Sequence, residues 1–107
     1  MSEKKKTPPD QKRQESTLLK ERTSVPRRYK VILHNDDFTP MEFVVFVLEQ
    51  LFHKSPAEAT RIMLLIHKSG IGVAGTFSFE VAESKAAQTI ATAQDNNYPL
   101  LATTEPE

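Results

Sequence analysis

Apolar residues along the chain change their spacing in a way that marks out six elements. Tyr29 to His34 (YKVILH) concentrates β-branched and aromatic side chains and predicts a strand. Asn35-Asp36-Asp37-Phe38 breaks it as a loop. Thr39-Pro40-Met41-Glu42 then reads as a helix start, with Thr39 as cap, Pro40 at the first helical position and Glu42 closing a capping box. This helix is expected to reach about Phe52. Ser55-Pro56-Ala57-Glu58 repeats the device after a spacer of about two residues, His53 and Lys54. The second helix is expected to run to about Lys68 and stop at Gly70, a residue suited to left-handed backbone. So short a connection predicts a closely packed helical hairpin. Val73 to Phe77 predicts a second strand. Ser78 caps a third helix over about Phe79 to Ala93, with Glu80 and Glu83 favoured near its positive end. Leu100 to Thr104 closes the pattern as a third strand. The order β-α-α-β-α-β predicts a small sheet with helices on one face, an α+β sandwich.

Two helices carry more apolar surface than one stripe requires. Met41, Phe43, Val44, Val45, Phe46, Val47, Leu48, Leu51 and Phe52 cover most of the first, and Ile62 to Ile66 do the same in the second. Burial on two sides accounts for most of this excess. In a 107-residue chain little material is left to cover both sides of two helices, so part of it is expected to line an apolar pocket.

Charge divides the chain. Lysines and arginines number 14 and acids 14, yet residues 1–28 hold nine basic against four acidic groups, a net of +5. The remaining residues carry −5. Residues 1–26 have apolar side chains only at Met1, Leu18, Leu19 and Val25, too few to offset the entropy of ordering. They read as a disordered basic arm on an acidic body that spans residues 27–107. The arm has no aromatic residue to stack on bases, which weighs against nucleic acid as its partner. With no cysteine, disulfide and thiolate chemistry are excluded, in keeping with a reducing cytoplasm. No apolar run approaches the ~20 residues of a membrane span, and the basic start lacks the apolar core of a secretory signal.

The candidate chemistry is modest residue by residue. Met63 and His67 lie four apart on one helical face, as do Met41, Val44 and Val45. A histidine ending an apolar helix is ordinarily a surface or core residue, and Asn-Asp-Asp after a strand is ordinarily a turn. Together they offer acceptors on Asn35, Asp36, Asp37 and neutral His67 beside flexible methionines. Such a site suits a cation on a short stem with a hydrophobe attached, which is the shape of a protein's first residue. Two other readings stay open. His34, Asp36, Asp37 and His67 could ligate a metal, though no spacing pins a fourth ligand. An Asp-His pair could be hydrolytic, with Thr39 as the neighbouring hydroxyl. No Gly-rich phosphate loop is present, so nucleotide chemistry is not supported.

From Tyr29 onward the sequence resembles the ClpS family, the ATP-dependent Clp protease adaptors or bacterial N-recognins. The resemblance is carried by Tyr29-Lys30-Val31-Ile32-Leu33, by Asn35-Asp36-Asp37-Phe38-Thr39-Pro40-Met41-Glu42-Phe43-Val44 and by Met63-Leu64-Leu65-Ile66-His67. Gly75-Thr76-Phe77, Glu80 to Lys85 and Pro99-Leu100-Leu101 follow in order and spacing. It implies a fold similar to the C-terminal domain of the ribosomal stalk protein. It also implies a non-enzymatic, cytoplasmic adaptor without cofactor that binds N-degron proteins beginning with Leu, Phe, Tyr or Trp. The adaptor would pass them to the N-terminal domain of the AAA+ unfoldase ClpA, which feeds the ClpP peptidase. By the same resemblance Asn35, Asp37 and His67, with Asp36 close by, hold the α-amino group. Thr39, Met41, Val44, Met63, Ile66 and Leu100 line the side-chain pocket, with Met41 as a gatekeeper against β-branched first residues. Glu80 and Lys85 fall on the surface that docks the unfoldase, and the arm enters the unfoldase during delivery. His34 and Ile71-Gly72 depart from the family pattern. The runner-up reading, a ribosome- or factor-binding module, rests on fold analogy alone.

Overall fold

A computed structural model describes residues 26–107; the arm expected over residues 1–26 lies outside it apart from Pro26. The elements follow the order β1 (Tyr29–His34), α1 (Met41–Gln50), α2 (Pro56–Ser69), β2 (Ile71–Phe77), α3 (Phe79–Asp95) and β3 (Leu101–Pro106). The strands form one antiparallel sheet in the order β2-β1-β3. The α+β sandwich expected from the pattern is therefore present.

The most apolar strand takes the centre. Val31 and Leu33 of β1 are fully buried and join Ala74 and Ala102 against the helices. From α1 come Phe43, Val47 and Leu48, from α2 Ala59, Ile62 and Ile66, and from α3 Ala82, Ala86 and Ala93. Removing most of the fully buried Leu48 side chain leaves a cavity that so small a core cannot collapse into. Leu48→Ala is expected to cost ~2–5 kcal/mol of unfolding free energy. In a domain of this size that lowers the melting temperature by ~10 °C or more, as calorimetry would read it.

Both ends of α1 differ from the expectation. Thr39 is not its cap, and no side chain caps it: Pro40 is the N-cap, with φ −66° and ψ 147°. The Pro40 carbonyl accepts from Phe43 N and Val44 N at 3.0 and 3.3 Å, so the first turn is satisfied by backbone and Thr39 is released for other work. The helix stops at Gln50, and 51–55 connect it to α2, a longer spacer than the pattern suggested. Within it His53 adopts a left-handed φ of 56°, and Lys54 N donates back to Leu48 O at 3.0 Å.

The start and stop of α2 follow the sequence signals. Ser55 Oγ accepts from Glu58 N at 3.2 Å, and Gly70 closes the helix with φ 91°. Beyond it β2 begins at Ile71, two residues earlier than expected, because pairing with β1 continues to His34↔Ile71. Gly72 is thus part of the strand. A Cβ there would lie 2.6 Å from Ile66 Cγ1, so glycine permits α2 to rest on β2. Ser78 caps α3 as expected. Pairing with β1 likewise carries β3 from Leu101 to Pro106, starting after Leu100 and ending past Thr104.

Candidate functional site

The β1–α1 loop, the start of α1 and the last turns of α2 enclose a cavity of about 270 Å³. Asn35, Asp36, Asp37 and Thr39 supply its polar side, Met41, Val44, Met63 and Ile66 its apolar side, and His67 also lines it. Nine of the ten residues singled out for the α-amino site and side-chain pocket therefore meet in one place. The tenth, Leu100, is buried in the core at 3% exposure and is not on the lining. The volume lies at the small end of ligand sites. It suits a single side chain and its neighbouring backbone more than an extended ligand.

Each wall has a local cause. Helical periodicity turns Val44 inward and leaves Met41, one turn earlier, 41% exposed at the rim. Met63 and His67 share the α2 face that also carries Ile66. The two halves are tied together by backbone: Asn35 N donates to Gly70 O at 2.8 Å, joining the start of the loop to the turn that ends α2. Residues 35 and 67 are thereby neighbours in space although 32 positions apart. Nothing in the spacing announced this bond.

The loop itself is organised by Asp36. Its Oδ1 accepts from Phe38 N at 2.8 Å and Thr39 N at 2.7 Å, and its Oδ2 accepts from the Thr39 hydroxyl at 2.7 Å. Burial pushes this carboxyl up, but the bonds from the Thr39 hydroxyl, Thr39 N and Phe38 N outweigh it and hold it below its ordinary range. A depressed carboxyl stabilises the fold above its unfolded pKa, and that contribution is lost as pH falls through the folded value. The urea midpoint should therefore drop as pH falls below about 4. Asp36→Asn should lose less over that interval than the unaltered protein.

Other expectations meet mixed outcomes. His34 Nε2 lies 2.7 Å from Thr103 Oγ1 on the neighbouring strand, so it pairs across the sheet instead of joining a metal set. Among the described residues no group of three or more His, Cys, Asp or Glu is placed to hold a metal. Glu80 is exposed. Lys85 is half-buried: its Nζ donates to Leu51 O at 2.6 Å and sits 5.9 Å from the Phe52 ring centre. This side chain ties α3 to the end of α1, a role with no signal in the sequence because the partners are 34 residues apart. No helix among the described residues is long and apolar enough to cross a membrane.

The fold and the site together define an α+β sandwich with a small cavity, polar on one side and apolar on the other. Comparison with known proteins gives the family. The family model for the ATP-dependent Clp protease adaptor protein ClpS matches residues 24–103, and the chain belongs to that family. The Clp protease adapter protein ClpS of Phenylobacterium zucineum is 54% identical over 89 residues, covering 83% of this chain and 82% of its own. That of Nitratidesulfovibrio vulgaris is 46% identical over 97 residues, covering 91% and 97%. Among solved structures, Agrobacterium tumefaciens ClpS2 bound to L-phenylalaninamide superposes with a TM-score of 0.75 at 40% identity. It covers 78% of this chain and all of that one. The protein is thus an adaptor of the Clp protease system, a class distinct from the protease it serves.

Proposed function

We propose that the cavity captures the first residue of N-degron proteins and that the adaptor delivers them to the ClpA unfoldase of the ClpAP protease. Asn35, Asp37 and neutral His67 accept the three donors of a charged α-amino group, and Met41, Val44, Met63 and Ile66 enclose a Leu, Phe, Tyr or Trp side chain. The observation that carries this reading is the meeting of those polar and apolar residues in one cavity. Further support comes from the ligand of the Agrobacterium relative. L-phenylalaninamide has a free α-amino group, a benzyl side chain and an amide in place of the carboxylate, as an N-terminal phenylalanine has.

The energetics suit an adaptor. Hydrogen bonds to a charge contribute ~1.5–3 kcal/mol each. Burial of a large apolar side chain adds ~1.5–3 kcal/mol. Association costs at least ~4 kcal/mol. What remains is ~2–8 kcal/mol, so the dissociation constant is micromolar at its tightest, which permits both selection and release. Delivery is assigned to Glu80 and the neighbourhood of Lys85 as the docking surface for the unfoldase's N-terminal domain, and to the basic arm as the handle.

Specificity for unbranched first residues is assigned to Met41, which lines the cavity at its rim, and on this reading it excludes the Cβ branch of Val or Ile. Met41→Ala should narrow the preference for a Leu-first over a Val-first peptide by about tenfold, ~1.4 kcal/mol. Fluorescence anisotropy with the two labelled peptides checks it. An unchanged ratio would remove Met41 from the selection. The function as a whole is tested by a pull-down with peptides differing only in residue one, where retention should follow Leu, Phe, Tyr and Trp.

A further inference from the structure

Three acidic or amide side chains stand in a row at the cavity, but their hydrogen bonds are not equivalent. Asp36 Oδ1 has both lone pairs taken, by Phe38 N and Thr39 N, and Oδ2 has one taken by the Thr39 hydroxyl. Three of its four acceptor sites are committed to the loop. Among the described residues no protein group hydrogen-bonds to the side chains of Asn35, Asp37 or His67, so their acceptors remain available to a ligand.

We infer that Asp36 is a positioning residue: its carboxylate folds the β1–α1 loop so that Asn35 and Asp37 present their acceptors to the cavity, and it does not itself take the ligand's ammonium group. The inference rests on the α-amino reading of the cavity. The mechanical argument is local. The three bonds close the chain from residue 36 onto 38 and 39, a bend between the strand and Pro40. Asn35 is held on the other side by its bond to Gly70 O. Asp37 is the residue inside the closed turn, so its backbone direction follows from the Asp36 bonds. Thr39 lines the cavity with its hydroxyl proton already donated, and its side chain is oriented by the same carboxylate.

An asparagine at 36 can keep all three bonds. Its Oδ1 accepts from the two backbone N–H groups, and its Nδ2 donates to the Thr39 oxygen, with the sense of that one bond reversed. Alanine keeps none. Both substitutions delete the same charge, so the difference between them reads the hydrogen bonds alone. The test is anisotropy titration of a labelled Leu-first peptide at 0.15 M salt as an order-of-magnitude physiological condition, with Asp36→Asn, Asp36→Ala and Asp37→Asn. Asp36→Asn should bind within about fivefold of the unaltered protein, the remainder being the lost charge. Asp36→Ala should bind at least tenfold more weakly than Asp36→Asn, and Asp37→Asn should lose tenfold or more. Amide exchange should show the Phe38 and Thr39 N–H groups protected in the asparagine variant and open in the alanine variant. Should the alanine variant fail to fold, the contrast between Asp36→Asn and Asp37→Asn decides alone, since each deletes one charge from the same loop. Equal losses for Asp36→Asn and Asp37→Asn would overturn the inference while leaving the function standing. Failure of the unaltered protein to bind the peptide would overturn the function instead.

Discussion

Replacing His67 or Asp37 with alanine should reduce affinity for a Leu-first peptide by roughly 10- to 150-fold, the ~1.5–3 kcal/mol of one hydrogen bond to a charged group. Both residues are exposed at the cavity. Neither belongs to the core, so thermal unfolding should shift by little while binding collapses. The asymmetry between the two measurements is the point. A residue needed for the fold would move both, and a bystander would move neither. Asp37 should show the larger loss of the pair, because an ammonium group buried beside a carboxylate also gains from its charge. An anisotropy titration within twofold of the unaltered protein for either variant would remove that residue from the α-amino site.

The second large effect concerns delivery. Residues 1–20 lie outside the described structure, and among the described residues the cavity is lined by positions from 35 to 67. On the proposed function the arm is a handle for the unfoldase and contributes nothing to recognition. Deleting residues 1–20 should therefore leave peptide affinity unchanged and abolish degradation of a Leu-first reporter by reconstituted ClpAP. Normal degradation by the shortened protein would refute the handle. Weakened peptide binding would instead assign the arm to the site.

Much of this was legible in the residues themselves. The β-branched and aromatic content of Tyr29–His34 and the Ser-Pro start and glycine stop of α2 are local signals, and tertiary contacts reinforce them. Where the reading slipped, a competing contact had won. The Thr39 cap gave way because the Asp36 carboxylate, a charged acceptor, captured its hydroxyl. The start of β2 moved to Ile71, and Gly72 became a strand residue, because pairing with β1 extends as far as His34. The excess apolar surface of α1 and α2 predicted a pocket, and Met41, Val44, Met63 and Ile66 form one. Leu100 reads alike as core or pocket from its neighbours alone, and it packs in the core. The bonds from Asn35 to Gly70 and from Lys85 to Leu51 had no sequence signal, since each joins residues more than 30 positions apart.

Recognition of a free ammonium terminus can be isolated chemically with one pair of peptides. They share a Leu-first sequence and differ only in acetylation of the α-amino group. Acetylation removes the charge and two donors while keeping the leucine side chain, so the apolar wall is satisfied and the acceptors on Asn35, Asp37 and His67 are not. Measured by anisotropy, the free peptide should bind in the micromolar range and the acetylated one at least a hundredfold more weakly, ~2.7 kcal/mol or more. Equal affinity for the two would mean that the cavity reads only the hydrophobe, and the α-amino account would be wrong.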